Sequence, residues 1–424
     1  MKKLFILIVT LTIILSTGAI KPVQAQTQHG DIQVFIDGLP VDFDVKPVIK
    51  NDRTLVPFRA VAEMLNVKVS WDGARQTVNA SDGEISVMLQ IGNKTAYRNG
   101  TPVVLDVPPV IINDRTLIPL RFFSEAFDCR VEWDGVTRYV QITSPPRVMT
   151  VVGFYALGDR ETSSWTDLFN ENYPSTGSGN TDVVSVLALG WYSLDEQGNL
   201  ITDSKSGWRL PDGWEDVLAA AGKYNLETEM VVHLTDGEGT LSNLLTDEAA
   251  MSRAIGDITK EAALYQGVNL DFEGLGWRAG NEELVAVRQS FNRFVQLLSG
   301  QLKEINRSLT LTLHPPNSAY KGYDYRELGR YADRIIVMAY DYGTVPEPLE
   351  LVIEAVERAR ADVPPEKLVL GISIPSETVE SIPAKVGIAK RYNLEGIAIW
   401  RLGLVLDEIW SILRSTVASR QLGS

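Results

Sequence analysis

Residues 267–274 have the sequence GVNLDFEG, in which apolar and polar side chains alternate. Successive side chains of a β-strand point to opposite faces, so this stretch predicts a strand with Asn269, Asp271 and Glu273 on one face. Three polar groups on the inward face of a folded sheet need a reason, because burying carboxylates without partners is costly. The stretch therefore predicts a strand that carries a functional site at its end.

Strand and helix patterns alternate on both sides of this stretch, over residues 148–415. Apolar runs predict eight strands, at residues 148–156, 183–192, 229–235, 268–274, 309–315, 334–342, 368–375 and 396–402. Segments with helical periodicity lie between most of these strands, and the periodicity is clearest at residues 214–224, 247–265, 283–305 and 351–361. Their number and order predict an α/β fold, a (β/α)8 TIM barrel, whose chemistry lies at the carboxyl ends of the strands. The alternative is an open doubly wound sheet, but residues 153–155 form no glycine-rich turn after the first strand.

Composition excludes several classes of function for this chain of 424 residues. With 45% apolar and 22% charged residues it is typical of a folded globular protein, and its net charge of −14 opposes binding to nucleic acid or anionic lipid. A single cysteine, Cys129, excludes an internal disulfide and a thiolate zinc site. The three histidines are far apart in sequence, so we expect no metal and no cofactor. The sequence leaves the oligomeric state open.

Residues 1–25 have the order of a secretory signal peptide. Lys2 and Lys3 precede an apolar run from Leu4 to Ile20, and Val23 and Ala25 place small residues before a cleavage site. We therefore predict cleavage after Ala25 and a secreted or cell-envelope protein. The alternative is an uncleaved membrane anchor, for which the apolar run is at the short limit.

An internal repeat follows the signal segment. Residues 51–57, NDRTLVP, recur as residues 113–119, NDRTLIP, and Trp71-Asp72-Gly73 recurs at residues 133–135, both with an offset of 62. Matches at one period indicate a duplicated unit. Residues 31–145 are thus predicted to hold two 62-residue repeats in a small α+β domain.

The repeats resemble the copper amine oxidase N-terminal-like domain, which often occurs as a paired stalk module on exported bacterial proteins. The family name does not imply copper here, because the segment has no histidine cluster to bind it. A rigid spacer is the favoured interpretation, and a cell-wall-binding module is the alternative. Pro145 and Pro146 form a stiff boundary between this domain and the barrel.

The barrel resembles glycoside hydrolase family 18, the chitinase-like family. Residues 267–273 are similar to its DGxDxDxE signature, and residues 338–342, MAYDY, to its Met-x-Tyr-Asp motif. Trp400 ends the eighth strand, where the family places a tryptophan under the sugar, and Phe154-Tyr155 ends the first, where paired aromatics are frequent. The spore-cortex and peptidoglycan branch is the most similar, since it often has Asn where chitinases have the middle Asp of the signature.

The resemblance implies substrate-assisted retaining hydrolysis of β-1,4 bonds next to N-acetylglucosamine, in peptidoglycan or chitin oligomers. Glu273 would protonate the glycosidic oxygen, Asp271 would hold the acetamide N–H, and the Tyr340 hydroxyl would donate to the acetamide oxygen. The resemblance also implies a set of substrate-binding residues: Asp341, Trp400, Asn269, Tyr155 and Met338.

Two departures from the family pattern qualify this expectation. Gln266 and Asn269 replace the first and middle Asp of the signature; since Asn269 cannot titrate, we predict an altered pH profile. Only about 20 residues separate Pro375 from Gly396, too few for the extra subdomain of many chitinases, so we expect an open cleft suited to peptidoglycan strands. A glycan-binding wall protein with little or no turnover is the second hypothesis, and the presence of Glu273 favours the enzyme. A third hypothesis, a purely structural envelope protein, would not explain why Asp271 and Glu273, or Tyr340 and Asp341, occur together.

Overall fold

The structure is a computed structural model that describes residues 31–156, 163–204, 207–277 and 279–420. The predicted signal peptide, residues 1–25, lies outside the described residues. No helix in these ranges is long and apolar enough to cross a lipid bilayer.

Eight parallel strands close into a barrel, in which each strand pairs with the next and the eighth pairs with the first. From first to eighth the barrel strands are Arg147–Tyr155, Val186–Leu194, Glu227–Thr235, Gly267–Glu273, Ser308–Leu313, Arg334–Val337, Leu368–Ser373 and Gly396–Trp400. The predicted TIM barrel is confirmed, and the closing pair excludes an open sheet. The sixth strand is shorter than predicted and ends at Val337, so residues 338–342 lie in the following loop.

Helices lie between the barrel strands and around the outside. They are Ser164–Phe169, Trp214–Lys223, Thr240–Thr246, Glu248–Glu261, Asn281–Glu304, Tyr325–Tyr331, Leu349–Arg360, Ile382–Arg391 and Asp407–Thr416. Short 3-10 turns are Ala262–Leu264, Pro365–Lys367 and Ile374–Ser376, and the strands Leu200–Ile201 and Val417–Ser419 extend the sheet. The longest helix, Asn281–Glu304, begins with acidic residues and ends with Lys303, as the helix dipole favours, and it buries Phe291 and Phe294.

The interior of the barrel has an apolar side and a polar side. Apolar inward side chains form one cluster, which is Val152, Phe154, Val186, Ala188, Val231, Ile336, Val369 and Ala398. On the polar side, the fully buried Glu229 carboxylate accepts hydrogen bonds from Arg334 at 2.8 Å, Thr310 at 2.5 Å and Asn269 at 3.0 Å. These partners satisfy the buried charge, so the third to sixth strands can carry polar side chains toward the mouth of the barrel.

The two N-terminal repeats interlock instead of forming separate units. Strand Gln33–Ile36 of the first repeat pairs in parallel with Tyr139–Thr143 of the second, and Arg53–Pro57 pairs antiparallel with Arg115–Pro119. The other strands are Leu39–Pro40, Val48–Lys50, Lys68–Asp72, Thr77–Ser81, Ser86–Gln90, Thr95–Arg98, Thr101–Val104, Val110–Ile112 and Arg130–Asp134, with helices Phe58–Met64 and Leu120–Ala126. Both repeats contribute side chains to one hydrophobic core.

The N-terminal domain packs against the barrel helix Ile382–Arg391. The Lys390 ammonium group donates to the Ser144 hydroxyl at 2.9 Å and lies 3.7 Å from the Asp37 carboxylate. Gly38 has a φ of +76°, and a Cβ there would lie 2.7 Å from the backbone nitrogen of Ala384. The close approach of the two domains therefore requires glycine at this position.

Candidate active site

The fourth barrel strand places its polar side chains as the alternation predicts. Asn269 is fully buried, Asp271 is 3% exposed, and the Glu273 side chain is 32% exposed. The apolar residues between them pack outward in the main hydrophobic core. Glu273 is thus the most solvent-exposed member of the series.

Asp271 and Glu273 form a carboxyl pair in a low-dielectric environment. Burial and the charge of Glu273 raise the pKa of Asp271 well above its usual value, and burial and the charge of Asp341 raise the pKa of Glu273. Oδ1 of Asp271 is buried and has no hydrogen-bond partner among the described residues. The pair therefore combines an exposed proton donor with a buried acceptor that is free for a ligand.

Tyr340 approaches the pair from the loop after the sixth strand. Burial raises the pKa of its hydroxyl well above the usual value, and the charges of Asp271 and Glu273 raise it further. A Cβ at Gly371 on the seventh strand would lie 3.0 Å from the Tyr340 ring, so the glycine leaves room for it. Tyr340 consequently keeps its proton near neutral pH and can donate a hydrogen bond.

Met338 is buried at the base of the same loop. Its backbone N–H donates to the carbonyl of Leu313 at 3.0 Å, which anchors the loop to the fifth strand. Met338 thus fixes the start of the loop, and its contact with substrate stays a prediction.

Asp341 lies exposed at the rim, in a backbone conformation that Glu347 holds. Its φ is +65°, and its N–H donates to the Glu347 carboxylate at 2.7 Å, while the N–H of Tyr342 donates to the second oxygen at 3.1 Å. Lys385 donates in turn to the Glu347 carbonyl at 2.8 Å. A buried carboxylate thus stabilises a left-handed residue beside the carboxyl pair, an arrangement typical of functional loops.

Aromatic rings form the opposite wall of the mouth. Trp400 meets Phe154 edge-on at 5.3 Å between ring centroids, and Trp208 lies 5.9 Å from Trp400 at an interplanar angle of 26°. Trp208 also stacks on His233, with centroids 4.6 Å apart and planes at 7°. A cavity of about 180 Å³ opens between these rings. Its wall offers flat apolar surfaces next to the carboxyl pair.

Tyr155 borders the cavity between the aromatic rings. Side chains alternate along the first strand, and it is Phe154 that faces the barrel interior. Tyr155 is 6% exposed, and its ring packs edge-on against Trp191 at 6.3 Å between ring centroids. The ring thus contributes both to packing and to the cavity wall, and its contact with substrate stays a prediction.

His233 belongs to the site and was not among the predicted site residues. Its Nε2 lies 3.9 Å from a Glu273 oxygen, and burial lowers the pKa of the imidazole to about 4, so it is neutral near pH 7. The alternation of residues 229–235 places it on the inward face with Glu229, a signal that the sequence does contain. Trp208 and Glu347 lie in loops, where no periodic pattern marks them.

His233, Asp271 and Glu273 are the residues that could hold a metal ion within the part of the chain that the structure describes. One ligand atom of each lies within 4.8 Å of the others. A metal ion needs deprotonated ligands, however, and burial favours the protonated form of both carboxyls. Nδ1 of His233 is buried without the hydrogen-bond acceptor that orients most ligating imidazoles. The arrangement suits proton transfer better than metal binding.

Comparison with known proteins agrees with the fold and the two segments. The family model for glycosyl hydrolases family 18 matches residues 235–376, and the model for the copper amine oxidase N-terminal domain matches residues 35–142. Among solved structures, the *Bacillus cereus* spore cortex-lytic enzyme SleL superposes with a TM-score of 0.53 and 16% identity over 66% of this chain and 77% of that one. A chitinase from *Chromobacterium violaceum* gives a TM-score of 0.52 and 19% identity over 64% of this chain and 100% of that one. At these identities the superpositions support the fold.

Two curated relatives are cortical fragment-lytic enzymes. That of *Bacillus anthracis* is 24% identical over 181 residues, or 36% of this chain and 40% of the relative. That of *Bacillus subtilis* is 22% identical over 242 residues, or 40% of this chain and 54% of the relative. The chain thus spans about half the length of these relatives or less. Both resemblances drawn from the sequence are confirmed as similarities: part of the barrel matches the family model for glycosyl hydrolases family 18, and the segment before it matches the model for the copper amine oxidase N-terminal domain.

Proposed function

We propose that the barrel hydrolyses β-1,4 bonds next to N-acetylglucosamine in peptidoglycan, by substrate-assisted retaining catalysis with Glu273 as general acid and base. The observation that carries this proposal is the carboxyl pair. Glu273 is partly exposed with a raised pKa, and the neighbouring Asp271 is buried with one oxygen free of partners. A carboxyl group that keeps its proton near neutral pH can protonate a leaving oxygen.

Burial of Asp271 supports a nucleophile that comes from the substrate. At 3% exposure and with its neutral form favoured, Asp271 is poorly placed to attack an anomeric carbon. The N-acetyl carbonyl of the sugar would attack instead and form an oxazolinium ion, which is a known exception to the two-carboxylate scheme. Oδ1 of Asp271, which has no partner among the described residues, would accept a hydrogen bond from the acetamide N–H, while Tyr340 would donate to the acetamide oxygen. Glu273, deprotonated after the first step, would then activate the water that opens the ion.

The aromatic wall and the rim would place the sugar. Trp400 offers a flat ring for the C–H face of the pyranose, and Asp341 at the opposite rim can accept hydrogen bonds from its hydroxyls. Asn269 would act below the sugar, where Glu229 and Thr312 hold its amide. The segment between the seventh and eighth strands holds only a short 3-10 turn and the helix Ile382–Arg391, which favours an open cleft.

Peptidoglycan is the favoured polymer, with chitin oligomers as the second to be tested. Two relatives are named as cortical fragment-lytic enzymes and one structural neighbour as a spore cortex-lytic enzyme. An open cleft can accept a cross-linked wall. Secretion or attachment to the cell envelope completes the proposal, since the polymer lies outside the membrane and residues 1–25 are predicted to direct export.

Product analysis tests the proposal. The chain from Gln26 onward and its Glu273→Gln variant are incubated with purified peptidoglycan and with chitin oligomers, and the products are identified by mass spectrometry. We expect new reducing-end N-acetylglucosamine from the parent and a rate lower by roughly 10²- to 10⁴-fold in the variant, the usual contribution of a general acid. NMR of the first product should give the β-anomer, as retention requires.

The matched control is Glu238→Gln, which removes an exposed carboxylate from the loop after the third strand. It should cleave at the parent rate. Equal rates from the parent and Glu273→Gln, both correctly folded, would refute the role of Glu273. Glycan binding without any product from the parent would favour the glycan-binding hypothesis over the hydrolase.

A further inference from the structure

The N-terminal domain contains two similar grooves that the proposed chemistry of the barrel does not use. The first groove has a volume of about 660 Å³ and is lined, among others, by Arg53, Asp106, Arg121, Glu125 and Trp133. The second has a volume of about 620 Å³ and is lined by the repeat equivalents Arg115, Asp44, Arg59, Glu63 and Trp71. Every one of these pairs is separated by the repeat offset of 62 residues.

Each groove is built from both repeats. The turn before strand Arg53–Pro57 of the first repeat faces the helix Leu120–Ala126 and the Trp133 hairpin of the second, and the reciprocal elements form the other groove. The grooves therefore exist only because the two repeats interlock through the antiparallel pair at their centre. A spacer of two independent units would have neither.

A tryptophan stands exposed in each groove. Trp71 is 41% exposed and Trp133 is 40% exposed, so the two copies present their indole rings to the same extent. A Cβ at Gly73 or Gly135 would lie 3.5 Å or 3.3 Å from the Nε1 of the respective tryptophan, so each indole ring lies against the glycine of its own turn. An exposed indole at the same place in both copies gives each groove a flat apolar surface that a ligand can cover.

Most exposed positions that line the grooves are the same in both repeats, with Asp42 and Val104 as the exception, whereas several exposed positions outside the grooves differ. Arg59, Glu63 and Trp71 are repeated as Arg121, Glu125 and Trp133. Outside the grooves, by contrast, Ser70, Ala74 and Arg75 correspond to Glu132, Val136 and Thr137, all of them exposed. No backbone conformation demands Arg, Glu or Trp at these positions, so a common ligand is the simplest reason for their identity.

The chemistry of the grooves suits a sugar chain. An indole ring can cover the C–H face of a pyranose, and guanidinium and carboxylate groups can bond its hydroxyl and acetamide groups. Asp106 accepts a hydrogen bond from Arg53 at 2.6 Å, and Asp44 accepts one from Arg115 at 2.5 Å, which fixes both guanidinium groups. Among the described residues, Arg59 and Arg121 form no salt bridge with an acidic side chain. Their guanidinium groups are therefore available for a ligand.

We propose that these two grooves bind strands of an N-acetylhexosamine polysaccharide, the polymer class that the barrel is proposed to cleave. The identity of the glycan rests on that proposed function, whereas the two sites rest on the geometry of the repeats. The Lys390 contacts hold the domain on the barrel, so both grooves keep a fixed position relative to the cleft. Two linked weak sites bind an extended polymer more tightly than either alone, which would retain the enzyme on an insoluble wall.

Cosedimentation with insoluble polymers tests this proposal. All variants are made in the Glu273→Gln background, so that the polymer stays intact and the result does not depend on turnover. Protease-treated peptidoglycan sacculi and chitin beads serve as the two polymers, which separates the two sources of the sugar. We expect Trp71→Ala and Trp133→Ala each to weaken binding to at least one polymer by roughly tenfold, and the double variant to weaken it further.

The matched control is Tyr139→Ala, which removes an exposed aromatic ring of the same domain outside both grooves. Its binding should equal that of the background protein, and thermal unfolding should show that all variants are folded. Undiminished binding of the double variant, equal loss in Tyr139→Ala, or failure of the background protein to bind either polymer would overturn the proposal. If binding depended on the two tryptophans but the parent protein cleaved neither polymer, the result would support glycan binding by the grooves. It would refute only the proposed hydrolase activity.

Discussion

The buried carboxyl of Asp271 lowers the stability of the folded protein as the pH rises, although the proposed reaction requires it. Its folded pKa is raised, so the stability that the protonated carboxyl allows is complete below the unfolded pKa and is lost as the pH rises through the folded pKa. Asn cannot ionise. We therefore expect Asp271→Asn to raise Tm at pH 8 by about 2–4 °C, which is roughly 1 kcal/mol for a domain of this size, and to lower activity by at least about 100-fold.

Thermal unfolding between pH 4 and pH 8 measures this effect. The difference in Tm between Asp271→Asn and the parent should shrink as the pH falls toward 4, because the parent carboxyl is then protonated and, like the amide, uncharged. Glu238→Gln, which removes an exposed acid, should give a Tm difference near zero at every pH. A Tm for Asp271→Asn below that of the parent at pH 8 would contradict the assigned cost of ionising Asp271.

Side chains on barrel strands could be predicted from sequence because alternation depends only on strand geometry. It placed Asn269, Asp271 and Glu273 correctly, and the same rule applied to residues 229–235 would have found His233. The rule also separates Phe154, which faces the barrel interior, from Tyr155, which packs in the core outside it, because adjacent strand positions point to opposite faces. Trp208 could not be predicted, since its place beside His233 depends on the path of a loop.

At the scale of elements, the third to sixth strands share one hydrogen-bond network that accounts for Asn269. Its amide donates to Glu229 at 3.0 Å, and its carbonyl accepts from Thr312 at 2.8 Å. Asn269→Asp would place a second carboxylate against Glu229, and Glu229→Gln would leave Arg334 buried without its acid. We expect the first variant to cost about 1–3 kcal/mol and the second about 3–5 kcal/mol.

The double variant, Asn269→Asp with Glu229→Gln, exchanges carboxylate and amide and keeps the charge that Arg334 requires. Its loss of stability should be smaller than the sum of the single losses by at least about 1 kcal/mol, measured by urea unfolding. Asn269→Asp combined with Glu354→Gln, an acid on an outer helix, should be additive within about 0.5 kcal/mol. Additivity in the first pair would show that the two residues do not share a network.

The ends of strands and helices could be predicted from sequence where turn residues follow them. They could not be predicted where a buried side chain ends the strand. The eight strands and four of the helices follow from apolar periodicity. The sixth strand was predicted to continue through residues 338–342, an apolar run with no turn residue except Asp341. It ends at Val337 because the Glu347 carboxylate, supplied by a later loop, captures the backbone N–H groups of Asp341 and Tyr342.

At the scale of the molecule, the period of the repeat revealed the duplication but not the pairing between its copies. The strands of one repeat could pair with one another or with strands of the other repeat under the same sequence pattern. The structure has two pairings across the repeats, Gln33–Ile36 with Tyr139–Thr143 and Arg53–Pro57 with Arg115–Pro119, and the resulting domain rests on a barrel helix through contacts that involve Asp37, Gly38 and Ser144. Neither the interlocking nor the docking leaves a periodic signal, because both depend on residues far apart in the chain.

The docking contacts make a prediction for Lys390, whose ammonium group is buried between the two domains. Besides Asp37 and the Ser144 hydroxyl, it reaches the Pro145 carbonyl at 3.1 Å, so one side chain joins the helix Ile382–Arg391 to the linker. Lys390→Met keeps most of the volume but removes these bonds and leaves the Asp37 charge with only Ser144 as a partner. We expect a loss of about 2–4 kcal/mol at the interface.

Because that loss falls between the domains, calorimetry should resolve two unfolding transitions in Lys390→Met where the parent has one, and proteases should cut the linker at residues 144–147 sooner. Gly38→Ala should give the same result by a steric route, since its Cβ would lie 2.7 Å from the Ala384 nitrogen in a backbone conformation that suits glycine. Lys50→Met, on an exposed strand of the same domain, should behave as the parent. If Lys390→Met and Gly38→Ala both kept a single transition and an uncut linker, the domain would be held on the barrel by its apolar contacts, such as Leu39 in the main core, and not by the buried lysine.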